Sequence, residues 1–275
     1  DSAIEVGVAE TDITPPIGFP MAGYFHERLN EGTTDPLKAK AIVFRGSGQQ
    51  AALVVCDLIG IWTDFSRLVR EEASRKTGIP QNCIVVSATH SHTAPDYAKA
   101  LYGWIAAKNP PATATAMNGV EQNPERLAYI EHLIQNTVNA VVQAHADAAP
   151  VTLESGWAEQ SVPVAFNRRF VQKDGSVKTW VGLEYAGTVR SAGPIDSEIP
   201  LLLAKSLAGK PKTVLSNFAL HLDTVGGMNW SADYPFAVSR TIQQALGPKV
   251  ISIFGTGCCG DINHVNPRGK DRNNT

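Results

Sequence analysis

The chain has 275 residues, 43% of them hydrophobic and 18% charged, which is enough apolar content for one large core or two small ones and too much for a disordered protein. Its 24 basic and 26 acidic side chains leave a formal charge of −2, so there is no broad cationic field for nucleic acid or for an anionic membrane. The longest apolar run, Ala51 to Trp62, is broken by Asp57 and falls short of the roughly 20 residues a membrane helix needs; a soluble protein without a transmembrane segment is expected.

In chain order, β-branched runs bounded by turn formers predict strands over Ile4 to Ala9, Lys40 to Arg45, Ala52 to Cys56, Cys83 to Ala88, Val151 to Trp157, Val177 to Val181, Thr213 to Ala219 and Val250 to Phe254. Between them, Asp64 to Lys76 places Phe65, Leu68, Val69 and Ala73 at helical spacing and meets Gly78 and Pro80. Pro95 to Ala107 is a further helix. After the turn signal Asn123-Pro124, the segment Glu125 to Ala146 sets Leu127, Ile130, Leu133, Ile134, Val138, Val141 and Val142 on one stripe. Tyr234 to Leu246 closes the helix set. Ala107 to Asn123 reads as a long surface loop, and Val151 to Val181 as sequential strands with a hairpin turn at Lys173-Asp174-Gly175.

This alternation predicts an α/β protein of mixed β-sheets flanked by helices, with its site at strand carboxyl ends. No repeat or boundary divides it, so residues 1–275 are expected to form a single catalytic domain. The polar tail Asn266 to Thr275 has no closing element, and the domain is expected to be incomplete at its C-terminus. The start at Asp1 rather than a methionine fits a removed targeting segment and a secreted or periplasmic location. Four cysteines without a C-x-x-C pair are expected to be packing thiols, with Cys56 and Cys83 on neighbouring strands able to pair.

Chemistry concentrates at a few strand ends. The run Ile84 to Ala88 leads into Thr89-His90-Ser91-His92, where period-two spacing turns both rings to one side. Neutral imidazole is the usual zinc ligand, so the pair reads either as a metal or catalytic site or as hydrogen-bonded histidines at a sheet edge. Leu215 to Leu220 leads into His221 in the same way, and Asp57 follows another strand, placed to orient an imidazole or to cap a turn. His26, His132, His145 and His264 read as ordinary structural histidines. Asn167-Arg168-Arg169 is a polar interruption suited to clamping a substrate oxygen or to solvent. Gly255, Gly257 and Gly260 satisfy G-x-G-x-x-G, but the residues that follow lack helical period, so a dinucleotide loop is not expected and the glycines instead permit close backbone approach. Cys258 or Cys259 as a nucleophile is a third reading and would need a base such as His221 or His264.

Taken together, Ala9-Glu-Thr-Asp-Ile-Thr-Pro-Pro16, Met21-Ala-Gly-Tyr24, the strand ending at Asp57, Ser87-Ala-Thr-His-Ser-His92, Asn167-Arg168, Asn217-Phe-Ala-Leu-His221 and Gly257-Cys-Cys-Gly-Asp261 resemble, in order, the landmarks of the neutral/alkaline non-lysosomal ceramidases. The resemblance implies that His90 and His221 bind Zn2+, that His92 lies beside a zinc-activated water and passes a proton to the leaving amine, and that Asn167 and Arg168 contact substrate, with Asp57 and Asp261 behind them. The implied reaction is hydrolysis of an amide in a ceramide-like lipid or another N-acyl compound. That family completes its metal shell with a Glu and a Tyr from a later segment that has no match in this chain, so either that portion lies outside it or Asp57, Asp223 or Asp233 substitutes. The alternative from a different class is a non-catalytic ligand-binding protein of the same fold with an incomplete metal site.

Overall fold

The computed structural model describes residues 4–108 and 121–268; most of the expected loop and tail lie outside them. The main sheet is built from β1 (Glu5–Asp12), β2 (Lys38–Gly46), β3 (Gln49–Cys56), β4 (Ile84–Ala88) and β5 (Ala149–Glu159). A small sheet follows, of β6 (Arg169–Gln172), β7 (Val177–Thr179) and β8 (Thr188–Ser191). The main sheet then resumes with β9 (Glu198–Ser206), β10 (Pro211–Phe218) and β11 (Ile251–Thr256), giving the order β11-β10-β9-β5-β1-β2-β3-β4. All neighbours are antiparallel except the two outermost pairs, β3 with β4 and β10 with β11. Among the described residues the α-helices are α1 (Thr63–Thr77), α2 (Ala98–Lys108), α3 (Pro124–Asp147) and α4 (Tyr234–Leu246).

The mixed α/β architecture agrees with the sequence, and alternation along the strands explains its layers. On β2, Ala39, Ala41 and Val43 face a core shared with Phe65 of α1 and Ile130 and Leu133 of α3, while Ile42 faces the opposite way. On β3, Ala52, Val54 and Cys56 take the helix side and Val55 the other. A strand buried on both faces reads as a continuous apolar run, which is how Ala51 to Cys56 reads. The second face meets Val151 of β5, Ala204 of β9 and Ile253 of β11, because the sheet curls until β11 touches β1, β2 and β3. Lys40, on that face of β2, donates its Nζ to Ser252 O across the gap at 3.0 Å.

The curl brings the two parallel pairs together end to end. Thr256, the last residue of β11, donates its hydroxyl to Thr89 O just past β4. Both pairs run toward the same rim, so the segments leaving β4 and β10 share one crevice, where ligands gather in α/β proteins.

Helix ends follow their signals. Asn123 caps α3 by accepting Glu125 N at 2.9 Å, with Pro124 in the first turn. Gly78, left-handed at φ 74°, ends α1 by donating to Ser74 O. Two expectations need correction. Cys56 lies opposite Ala88 in the ladder and Cys83 precedes Ile84, the partner of Ala52, so the two thiols sit at opposite ends of a strand, roughly 17 Å apart; both are free. The stretch after Val151 is not one meander: β5 pairs with β1 and β9, whereas β6 and β7 form their own hairpin around Gly175.

Candidate metal centre

Beyond Cys56 and Ala88, β3 and β4 stop but their chains stay tied. Thr89 N donates to Cys56 O, and His90 N and Ser91 N both donate to Leu58 O. His90 has φ 73°, in the left-handed region, where a non-glycine residue is uncommon. The strand has therefore ended before the first histidine, and period-two spacing is not what joins the rings. The left-handed turn does it, and a bridge from Ser91 to Leu222 then holds His92 beside the segment leaving β10.

Three imidazoles converge there. Ring centroids are 4.6 Å apart for His90 and His221, 5.0 Å for His92 and His221, and 5.1 Å for His90 and His92. One ligating nitrogen from each lies within 4.8 Å of the other two. His90 Nδ1 is 2.7 Å from Ile59 O and His221 Nδ1 is 3.0 Å from Cys259 O. A carbonyl accepts only, so each Nδ1 carries the proton and each Nε2 presents a lone pair. Those two Nε2 atoms face one another at 3.1 Å. Two acceptors so close repel unless a cation lies between them, and nitrogens ~2.0–2.1 Å from a tetrahedral zinc stand about 3.3 Å apart. His92 adds two buried ring nitrogens with no hydrogen-bond partner. The donor set fits a borderline-soft divalent cation.

Burial lowers the His221 pKa, and burial together with the neighbouring His221 and His90 brings that of His92 down to about 4. These two rings are thereby held neutral at pH 7, the form that ligates. Asp223 opposes the trend: its Oδ1 is 3.7 Å from His92 Nδ1 and accepts from Tyr24 OH at 3.2 Å. The loop carrying His92 is braced from behind by Arg28, whose guanidinium donates to His92 O, Ala22 O and Gly227 O and lies over the Tyr24 ring.

The cavity holds about 550 Å3 and its walls include Gly23, Tyr24, Phe25, Arg168, Trp180 and Asp223 besides the three histidines. Arg168 donates to Gly260 O at 2.8 Å and stacks on Trp180, 5.0 Å from its ring centre. Asn167 does not line this cavity: it is buried, its amide donating to Asp261 Oδ2 at 2.8 Å and its Oδ1 accepting Arg169 N. Asp261 thus braces Asn167 rather than an imidazole. Asp57 accepts from Lys38 N and from Thr89, the residue before His90, so carbonyls and not carboxylates orient the His90 and His221 rings. Burial pushes Asp57 up to about 6. Asp233 spends its carboxylate on Thr224, Val225 N and Tyr234 N, which leaves Asp223, of the three aspartates considered, in the cavity. Sequence reasoning passed over Phe25 and Trp180; their signal is weak, an aromatic two residues from a glycine in each case.

The glycine-rich run makes no dinucleotide loop. A Cβ on Gly257 would come within 2.9 Å of Asn217 Oδ1 and 3.1 Å of Ala219 N, the close approach expected of it. Cys259 is buried and its thiol pKa is raised by that burial, which disfavours a thiolate nucleophile.

No protein-family model matches the chain, and no curated protein matches it. Solved structures do. Neutral ceramidase from Pseudomonas aeruginosa superimposes with a TM-score of 0.74 at 18% identity over 100% of this chain and 42% of that one. A ceramidase complexed with C2 does so with a TM-score of 0.73 at 19% identity over 96% of this chain and 39% of that one. The fold is ceramidase-like. At these identities the likeness speaks to architecture, and the chain spans about two fifths of each of those proteins. In this ceramidase-like fold the three histidines sit at the rim where β4 and β10 end.

Proposed function

We propose that residues 1–275 form a catalytic domain of a zinc-dependent amidohydrolase acting on a ceramide-like lipid or another N-acyl compound, in a secreted or periplasmic setting. The observation that carries this is the pair of Nε2 lone pairs, on His90 and His221, aimed at one point 3.1 Å across. The ceramidase-like architecture supports an amide as the bond cleaved.

His90 and His221 would hold the metal, each with its Nδ1 proton fixed on a carbonyl. Zinc bound there supplies Lewis acidity and lowers the pKa of a water ligand to about 7. Asp223 Oδ1, 3.7 Å from His92 Nδ1, favours the tautomer protonated there by its charge, and Nε2 would accept a proton and return it to the departing amine. Asp223, itself held by Tyr24 OH, stabilises the imidazolium formed on the way. Arg168, fixed by Gly260 O and Trp180, directs its remaining N–H groups at a substrate oxygen. Phe25 and Trp180 form an apolar wall suited to an acyl group.

The test is hydrolysis of a short-chain ceramide and an N-acyl amino acid by zinc-loaded protein. Turnover that is lost on chelation and in His90→Ala supports the reading. A protein that takes up no zinc, releases no amine from either class and still binds the substrate would favour the non-catalytic alternative.

A further inference from the structure

A second large cavity, between α4 and the outer face of β9, β10 and β11, is not lined by His90, His92 or His221. It is open to solvent, measures about 700 Å3 and, among the described residues, shares no lining side chain with the metal cavity. Its floor is a cross-strand row, Leu201 opposite Ser216 and Ser216 opposite Phe254. Its roof is the α4 stripe Tyr234, Val238 and Ile242, spaced by four and therefore facing one way. That stripe is only half-buried, although Tyr234 at its start packs edge-on against Phe254 of β11 with ring centres 5.3 Å apart.

Among the described residues no Lys, Arg, Asp or Glu lines this space. Two lining side chains keep buried polar atoms without a partner: Ser216 Oγ, on a residue 3% exposed, and both ring nitrogens of His264. The other hydroxyls there are spent, Tyr234 on Leu220 O and Thr224 on Asp233. Buried polar atoms are nearly always paired, so each calls for a partner. An apolar cavity of several hundred Å3 with a few convergent polar groups is the usual form of a small-molecule site.

We propose that this cavity binds a neutral amphiphile, with an aliphatic chain between the α4 stripe and the strand face and a hydroxyl or amide on Ser216 and His264. Neutrality follows from the lining, since among the described residues no Lys, Arg, Asp or Glu side chain stands there to pair with a carboxylate or ammonium. A head that both donates and accepts follows from the partners, because a serine hydroxyl does either. The site is independent of the metal reading, and the two can fail separately.

Calorimetric titration of the purified chain with dodecan-1-ol, dodecanoate and dodecylammonium tests it. The expected result is one alcohol per chain, bound at least about tenfold more tightly than either charged analogue. Ser216→Ala should weaken it about fivefold, the loss of one hydrogen bond, and Val238→Trp, which fills the cavity from the half-exposed helix, at least tenfold. His90→Ala should leave it unchanged. If Val238→Trp melts abnormally by circular dichroism, Val238→Ser takes its place and should also weaken binding. The proposal is overturned by no binding, by equal binding of the charged chains, by indifference to the Ser216 and Val238 changes, or by loss in His90→Ala, which would put the alcohol in the metal cavity. Self-association abolished by Val238→Trp would overturn it too, by assigning the face to a second copy.

Discussion

His90 Nε2 and His221 Nε2 lie 3.1 Å apart although 131 residues separate them along the chain. Each ring is pinned by its Nδ1 to a backbone carbonyl, so neither can turn its lone pair aside. The arrangement is tense without a cation and relaxed with one.

That tension makes metal affinity the first prediction. Wild-type chain should bind one zinc, and His90→Ala or His221→Ala should each lower affinity more than about 100-fold, as read by equilibrium dialysis with elemental analysis. Because zinc binds the folded state, it should also raise the melting temperature, adding about 2.7 kcal/mol at a hundred times its dissociation constant. Neither variant should respond.

Gly23 bears on the same centre. It has φ +97°, and a Cβ there would meet His92 Cβ at 2.6 Å and Cα at 2.7 Å. Gly23→Ala should destabilise the chain by about 1–3 kcal/mol, from the left-handed backbone and the overlap together. Denaturant unfolding measures the loss, and a value within experimental error of wild type would mean that the contact is loose.

Asp57 sets a pH dependence. Its folded pKa is raised to about 6, chiefly by burial, from the ordinary 3.8. Between those values the folded state holds the proton more tightly than the unfolded chain does, so the stability contribution is complete below about 3.8 and is lost as pH rises through about 6. Relative to wild type, Asp57→Asn should gain stability across that window, on the order of 3 kcal/mol in total, and then level off. Urea titrations at stepped pH would show a flat difference if the carboxyl were unperturbed.

Much of this was legible in the sequence, for identifiable reasons. The long stripe of α3 and the double-faced apolar run of β3 announce themselves because burial imposes their pattern. β9 was missed: Pro200 argues against an internal strand, yet it sits where β5 is the only neighbour, before pairing with β10 begins at Leu201. The histidines were found by position, at strand ends. The reason they meet was not, since it depends on the left-handed residue at His90 and on a sheet curl that no local pattern encodes. Asn167 looked functional because it opens a polar interruption, and Asp261 through the family resemblance, but the buried Asn167 amide donates to the Asp261 carboxylate.

Arg168→Ala should raise KM about tenfold or more for an N-acyl substrate, through loss of a charge-assisted hydrogen bond, with zinc content unchanged. Arg168→Lys should not restore it, because an ammonium cannot both reach Gly260 O and present a planar face to Trp180. Steady-state kinetics on the two variants decide the point, and an unchanged KM in Arg168→Ala would remove the guanidinium from the substrate contact.

Alkylation separates metal chemistry from thiol chemistry. Cys258 is exposed and Cys259 buried, so iodoacetamide should modify the former first and leave hydrolysis intact, while a chelator abolishes it. Inactivation in step with labelling of Cys258, measured by mass spectrometry, would reverse the assignment.

The most direct test is a crystal of the zinc-soaked chain measured on both sides of the zinc absorption edge. A single anomalous peak bonded to His90 Nε2 and His221 Nε2, at roughly 2.0–2.1 Å from each, is the result predicted. An empty difference map between those two nitrogens, or a peak on other residues, would contradict it.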